Sequence, residues 1–188
     1  MRLSEPCQPQ LLKIPLDEGD VIYTPDWVAK DMVGHFAPVG KILEPCSGDG
    51  AFLRYLPDAD WCEIQHGKDF FQWHKQVDWI IGNPPYKMLA DWLSHSFSIA
   101  TNVCYLLPLN CIWNSMKRMR MVSEYGGVVE MRAYGEGTIF GMGYGFAVGA
   151  ILFRRGYVGE ITFDMADSSR GAGCTTPAYF GEREQEDD

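Results

Sequence analysis

Short apolar runs, each closed by proline or glycine, alternate along this chain with stretches of helical period. Lys41-Ile42-Leu43-Glu44 is of strand length and runs into Pro45-Cys46-Ser47-Gly48-Asp49-Gly50, too rich in turn residues to stay extended; a helix is expected from Ala51. Residues 60–64 and 77–81 read as two further buried strands. Leu89, Trp92, Leu93 and Phe97 then recur at three- and four-residue spacing, which predicts a helix over 88–99 lying on the sheet. Residues 103–107 form another apolar strand, stopped by Pro108. Residues 127–133 and 147–153 are strand-like and flank the glycine-rich stretch 134–145, which suits an antiparallel pair. Upstream, Thr24-Pro25-Asp26 is a helix-start signature with Thr24 as N-cap and Pro25 at the first helical position; Trp27, Val28 and Met32 supply the apolar face.

This alternation predicts an α/β fold: one doubly wound, Rossmann-like domain with a mostly parallel sheet and one antiparallel strand near the C-terminus. Residues 1–20 contain three prolines and no period, and are expected to be an extended arm. The domain is expected over 21–165, and residues 166–188, which lose apolar period and gain charge, as an acidic disordered tail.

Asp78-Trp79-Ile80-Ile81 leads straight into Gly82-Asn83-Pro84-Pro85-Tyr86. Two prolines cannot continue a central strand, because they lack the ladder donor and fix φ, so the strand ends there and exposes Asn83 at its carboxyl edge. Ligands bind at that edge in open α/β sheets. The turn at Gly48 and Gly50 is a second candidate, since free N–H groups there could approach an anionic group; a plain glycine turn is the alternative. A dinucleotide fits poorly, because the third glycine of its fingerprint is missing and Asp49 would repel a pyrophosphate. Glu63, at a strand end, could accept from ribose hydroxyls or be a solvated acid. Asp69 with Phe70 could meet an adenine ring, or be a loop acid beside core aromatics.

Composition narrows the partners. The chain has 188 residues, 46% hydrophobic, enough for one domain with a sizeable core. Its net charge is −9, unusual for a protein meeting a phosphate backbone. Residues 166–188 hold six acids and two bases, a net −4 that leaves −5 on the body. Lys117, Arg118 and Arg120 form the one evident basic cluster, a candidate for phosphate contact or a solvated helical face. Six scattered cysteines read as reduced thiols in a cytoplasmic protein, and the four histidines show no metal-ligand spacing. The start lacks the apolar stretch of a signal peptide, and the uncharged run 138–153 is too short to span a bilayer as a helix, so no membrane partner is expected.

In order, Tyr23-Thr24-Pro25, Glu44-Pro45-Cys46-Ser47-Gly48-Asp49-Gly50-Ala51-Phe52, Glu63, Asp69-Phe70 and Asn83-Pro84-Pro85-Tyr86 resemble the DNA adenine-N6 methyltransferases that keep a threonine-proline motif ahead of the cofactor motif. The resemblance covers roughly residues 21–153 and implies S-adenosylmethionine (SAM) as cofactor. SAM carries no phosphate but a carboxylate, an ammonium and a sulfonium, so a turn with Glu44 and Asp49 suits it. By similarity Tyr23, Thr24 and Pro25 would line its methionine end, with Glu44, Pro45, Cys46, Gly48, Gly50, Glu63, Asp69 and Phe70 completing the cofactor site. Asn83, Pro84, Pro85 and Tyr86 would be catalytic, and Phe140 with Gly141 and Gly143 would shape the target-base pocket.

The chemistry of the box is explicit. An exocyclic amine is a poor nucleophile because its lone pair is delocalised into the ring; the Asn83 oxygen and the Pro84 carbonyl can each accept an N–H and localise it. Tyr86 offers a face to a flipped-out base. Two departures stand out: the short stretch between Glu63 and Asp69 trims one edge of the sheet, and no target-recognition domain is visible, so either a partner subunit or homo-oligomer supplies recognition or the specificity is minimal. The rival acceptors are an RNA base or a protein glutamine amide, and a non-catalytic SAM-binding subunit is the alternative of a different class.

Overall fold

The computed structural model describes residues 23–141 and 146–167. The arm at 1–20, nearly all of the tail, Gly143, Cys7 and Cys174 lie outside them. Among the described residues seven strands form one sheet in the order β2-β1-β3-β4-β6-β5-β7. They are β1 (Ile42–Glu44), β2 (Asp60–Trp61), β3 (Val77–Gly82), β4 (Ala100–Pro108), β5 (Gly126–Glu136), β6 (Ala147–Arg155) and β7 (Thr162–Met165). β6 runs antiparallel to both of its neighbours and every other pairing is parallel, so the sheet has the single reversed strand that the sequence predicts.

Helices cover both faces. Successive side chains of a strand point to opposite sides, and the central strands carry unbroken buried apolar runs at 79–81, 103–107 and 150–153. Ile80, Val103, Tyr105, Leu107, Ile151 and Phe153 face one core, where α2 (Leu89–Ile99) and α3 (Met116–Tyr125) pack through Trp92, Leu93, Phe97, Val122 and Tyr125. Trp79, Ile81, Cys104, Leu106, Ala150 and Leu152 face the other, closed by α1 (Asp26–Phe36) through Val28, Ala29, Met32 and Phe36. Strands buried on both faces must be continuously hydrophobic, which is why β3, β4 and β6 stand out in the sequence.

Three local expectations are corrected. α1 begins at Asp26 with Pro25 in the cap position, and no side chain caps it, because the Thr24 hydroxyl is engaged elsewhere. No α-helix forms from Ala51: Arg54 N–H donates to Gly50 and Leu56 N–H to Phe52, but only six residues separate Gly50 from Pro57, too few to repay helix nucleation. Beyond Phe153 the chain still contributes β7, paired in parallel with β5. The trimmed edge is real, since only the 3-10 turns Ile64–His66 and Phe70–Gln72 lie between β2 and β3; the strand expected over 60–64 is cut to Asp60–Trp61, with Ile64 exposed in the first of those turns.

α1 is tied to β5 by charge. The Arg132 guanidinium, 11% exposed, donates to both Asp31 carboxylate oxygens at 2.7 and 3.0 Å and to Asp164; Tyr134 adds a bond to Asp31 at 2.8 Å. Asp31→Ala removes the acceptors of the bidentate Arg132 guanidinium and of the Tyr134 hydroxyl, and is expected to lower unfolding free energy by about 1–3 kcal/mol in urea titrations.

Among the described residues no helix is long and apolar enough to cross a membrane. Cys46, Cys62, Cys104 and Cys111 form no disulfide among the described residues.

Candidate active site

β1 and β3 are parallel neighbours, with Ile42 opposite Trp79 and Leu43 opposite Ile80, so the loops that leave their carboxyl ends emerge side by side. Proline stops both strands, at Pro45 after Glu44 and at Pro84 after Asn83. The loops approach so closely that a Cβ at Gly82 would lie 3.0 Å from Pro45 Cδ. The Cys46 thiol donates to the Asn83 carbonyl at 3.1 Å and laces them together.

The third element is the entry to α1. Asn83 Nδ2 donates to Thr24 Oγ1 at 3.2 Å, and Thr24 is buried. This bond turns the Asn83 amide and joins two motifs separated by 59 residues. Tyr23, 58% exposed, lies against the glycine turn: a Cβ on Gly48, whose φ is +50°, would sit 3.9 Å from its ring.

The turn is held by its own bonds. Gly48 N–H donates to Glu63 Oε2 at 2.8 Å and Gly50 N–H to the Ser47 carbonyl at 2.7 Å, so neither is the open anion donor that the sequence suggests. Glu63 accepts a second bond from Gln65 N–H at 3.2 Å. Its carboxylate is therefore a structural clamp on the glycine turn, with further lone pairs in reserve. Asp49 faces Arg54 across 3.5 Å at the surface.

Glu44 is the anomaly of the site. It is 1% exposed at the end of β1, and its Oε2 is buried with no hydrogen-bond partner among the described residues. Burial, then the nearby charges of Asp49 and Glu63, push its carboxyl up to about 8. An acid in this condition is waiting for a cationic partner or holding a proton.

Tyr86 opens a 3-10 turn, Tyr86–Met88, after the proline pair. Its hydroxyl is buried without a partner among the described residues, and burial, followed by Cys111 and Cys46, raises its pKa. The ring is half-buried against the core that holds α2, so it is packed inward more than the stacking role in the sequence reading implies.

Asp69 caps another 3-10 turn, accepting from Phe71 N–H at 2.9 Å, and lines a hollow of about 430 Å³ with Trp61, Cys62, Lys68, Gln72 and Trp73. Phe70 does not line it. Its ring is 3% exposed and stacked on Trp92 at 4.7 Å, the core-aromatic alternative. Phe140 is likewise 6% exposed in the core beneath α1, because the 3-10 turn Gly137–Phe140 points it inward, so it offers no surface to a base. Gly141 follows at φ +70°.

Of the basic cluster, Lys117 and Arg120 are exposed on α3, whereas Arg118 is half-buried and donates through Nε to the Cys111 carbonyl at 2.7 Å. The structure thus brings together Tyr23, Thr24, Pro25, Glu44, Pro45, Cys46, Gly48, Glu63 and Asn83, and sends Phe70 and Phe140 to the core. Sequence reading missed the Thr24–Asn83 bond. A threonine before Pro-Asp reads as a cap, and only the tertiary approach of β3 gives its hydroxyl another donor.

No family model and no curated protein sequence matches the chain. Solved structures do match. The M protein of the type I restriction enzyme EcoKI superposes with a TM-score of 0.55 at 13% identity, over 71% of this chain and 44% of that one. A Listeria monocytogenes protein provisionally identified as a class I SAM-dependent methyltransferase gives 0.57 at 11% identity, over 84% and 69%. The 23S rRNA methyltransferase ErmE gives 0.51 at 14% identity, over 71% and 69%. The chain spans less than half the length of the type I restriction–modification proteins it matches. At these identities the likeness is one of fold, the Rossmann-like architecture of those methyltransferases.

Proposed function

We propose that this chain is a SAM-dependent methyltransferase acting on the N6 amine of adenine in DNA, with target recognition supplied by a partner subunit. The observation that carries the reading is the convergence, at one sheet edge, of an Asn83 amide oriented by Thr24 with the buried Glu44 carboxyl, whose Oε2 has no hydrogen-bond partner among the described residues. The residue set fits SAM: an ammonium brought to Glu44 Oε2 would satisfy an acceptor that the described residues leave without a partner, and the remaining lone pairs of Glu63 suit ribose hydroxyls. Asp69, in the adjacent hollow, suits the amino group of an adenine ring.

When bound, SAM supplies a methyl group activated on a sulfonium. The chain's own residues do the rest. The Asn83 Oδ1 and Pro84 carbonyl each accept an N–H of the target amine, which localises its lone pair along the direction of attack. The amine gains the methyl group and sheds one proton; neither an amide nor a carbonyl oxygen is basic enough to take it, so it leaves to water. Tyr86 and the proline pair hold the acceptor groups rigid, since both prolines have fixed φ.

The likeness in fold to a modification subunit of a type I restriction enzyme, and to a structure of type I complex assembly, supports a partner. So does the acidic body, which lacks the positive field that grips duplex DNA. Mass spectrometry of nucleosides from the DNA of cells with and without this chain tests the reading. Loss of N6-methyladenine with the chain is expected, and unchanged N6-methyladenine would refute it.

A further inference from the structure

Next to the proposed catalytic box is a surface that the cofactor and the box leave unassigned. β4 pairs in parallel with β3, Gly82 opposite Tyr105, so the loop after Pro108 emerges beside Asn83-Pro84-Pro85-Tyr86. That loop is firmly built. Cys111 N–H donates to the Pro108 carbonyl at 2.9 Å, Asn114 N–H to Asn110 at 3.1 Å, and Arg118 Nε grips the Cys111 carbonyl at 2.7 Å. Ile112 is fully buried, and the next residue, Trp113, is 44% exposed. An indole anchored on both sides yet left in solvent lacks the usual reason for an exposed tryptophan, a loop too loose to bury it. Met116, 63% exposed, and the exposed Lys117 and Arg120 follow on the first turns of α3.

An aromatic platform with neighbouring cations is the chemistry by which single strands are held: bases stack on the ring, and phosphates meet the basic groups. Duplex DNA asks for more. Extracting a base from the stack costs a few kcal/mol and is sustained by many phosphate contacts, whereas this body is net negative and α3 presents two exposed cations beside one anchoring arginine. Resting on the adenine-methyltransferase reading above, we propose that the acceptor is an adenine already unpaired in a DNA strand, with the adjacent base stacked on Trp113 and the flanking phosphates on Lys117 and Arg120.

The test uses the full chain with one fluorescent DNA oligonucleotide, offered single-stranded and as its duplex. Anisotropy reads binding, and labelled SAM reads transfer. The single strand is expected to bind and be methylated at least about tenfold better than the duplex. Trp113→Ala should raise the KM for the single strand about tenfold, from the lost stack, with kcat much less affected. Trp113→Phe, which keeps a stacking face, should restore most of the affinity, and calorimetry should find SAM binding unchanged in both variants. Lys117→Ala with Arg120→Ala should flatten the salt dependence of binding. Methylation of the duplex as fast as the single strand, with Trp113→Ala silent, would overturn this inference and leave adenine methylation standing. If neither the single strand nor the duplex bound or accepted label, both readings would be overturned.

Discussion

Asn83→Ala is expected to slow methyl transfer by about two orders of magnitude or more while SAM affinity stays nearly unchanged, because loss of one preorganised acceptor removes roughly 3 kcal/mol of transition-state stabilisation. The separation follows from where Asn83 sits. Its amide bonds Thr24 across from the glycine turn, and Glu44, Glu63 and Asp69, proposed to hold the cofactor, belong to other strands and loops. The proposed Pro84 acceptor survives the substitution, so some localisation of the amine lone pair remains. Thr24→Val should lose less than Asn83→Ala, because it frees the amide to rotate without deleting it. Single-turnover rates and calorimetric affinities, measured on the same preparations, read the two quantities apart.

Glu44→Gln is expected to do two opposite things. In the ligand-free protein the carboxyl is raised from its ordinary value to about 8 by burial, with Asp49 and Glu63 adding repulsion. The folded state therefore holds a proton that the unfolded chain releases. The stability this group contributes is fully present below the unfolded carboxyl pKa, is lost as pH rises toward about 8, and is gone above it. The amide cannot ionise, so the variant should be more stable than the parent near pH 9, by about 3–5 kcal/mol. Its urea midpoint should also vary less between pH 5 and 9. Cofactor binding should move the other way. An ammonium at Glu44 needs the ionised acid, so parental SAM affinity should rise with pH toward 8 and binding should release a proton. Glu44→Gln should weaken SAM by about 1.5–3 kcal/mol, the worth of a charge-assisted bond, and abolish the proton release. A variant with unchanged SAM affinity and no gain in stability at high pH would exclude Glu44 from both roles.

The central sheet was legible because its chemistry is local. β3, β4 and β6 are buried on both faces along the runs 79–81, 103–107 and 150–153, which are apolar at every position, and α2 carries a clear helical period. β7 was missed for the converse reason: Thr162 and Asp164 alternate with the exposed Phe163 and Met165 on an edge, which leaves neither a continuous apolar run nor a buried stripe. The residues of the site were visible as motifs, since proline and glycine at strand ends mark where a backbone opens. Their bonding was not. Whether Thr24 caps a helix or binds Asn83, whether Glu63 meets a ligand or clamps Gly48, and whether Phe70 and Phe140 face a pocket or the core all depend on partners far away in sequence. Aromatic residues beside an acid look alike in a pocket and in a core.

The most direct measurement offers the purified chain SAM labelled in its methyl group together with DNA, RNA and cell-extract protein, followed by digestion and chromatography of each. The account predicts label in N6-methyladenine from DNA, lost in Asn83→Ala. Label found only in methylglutamine or methylguanine, with the DNA adenines unlabelled, would contradict it.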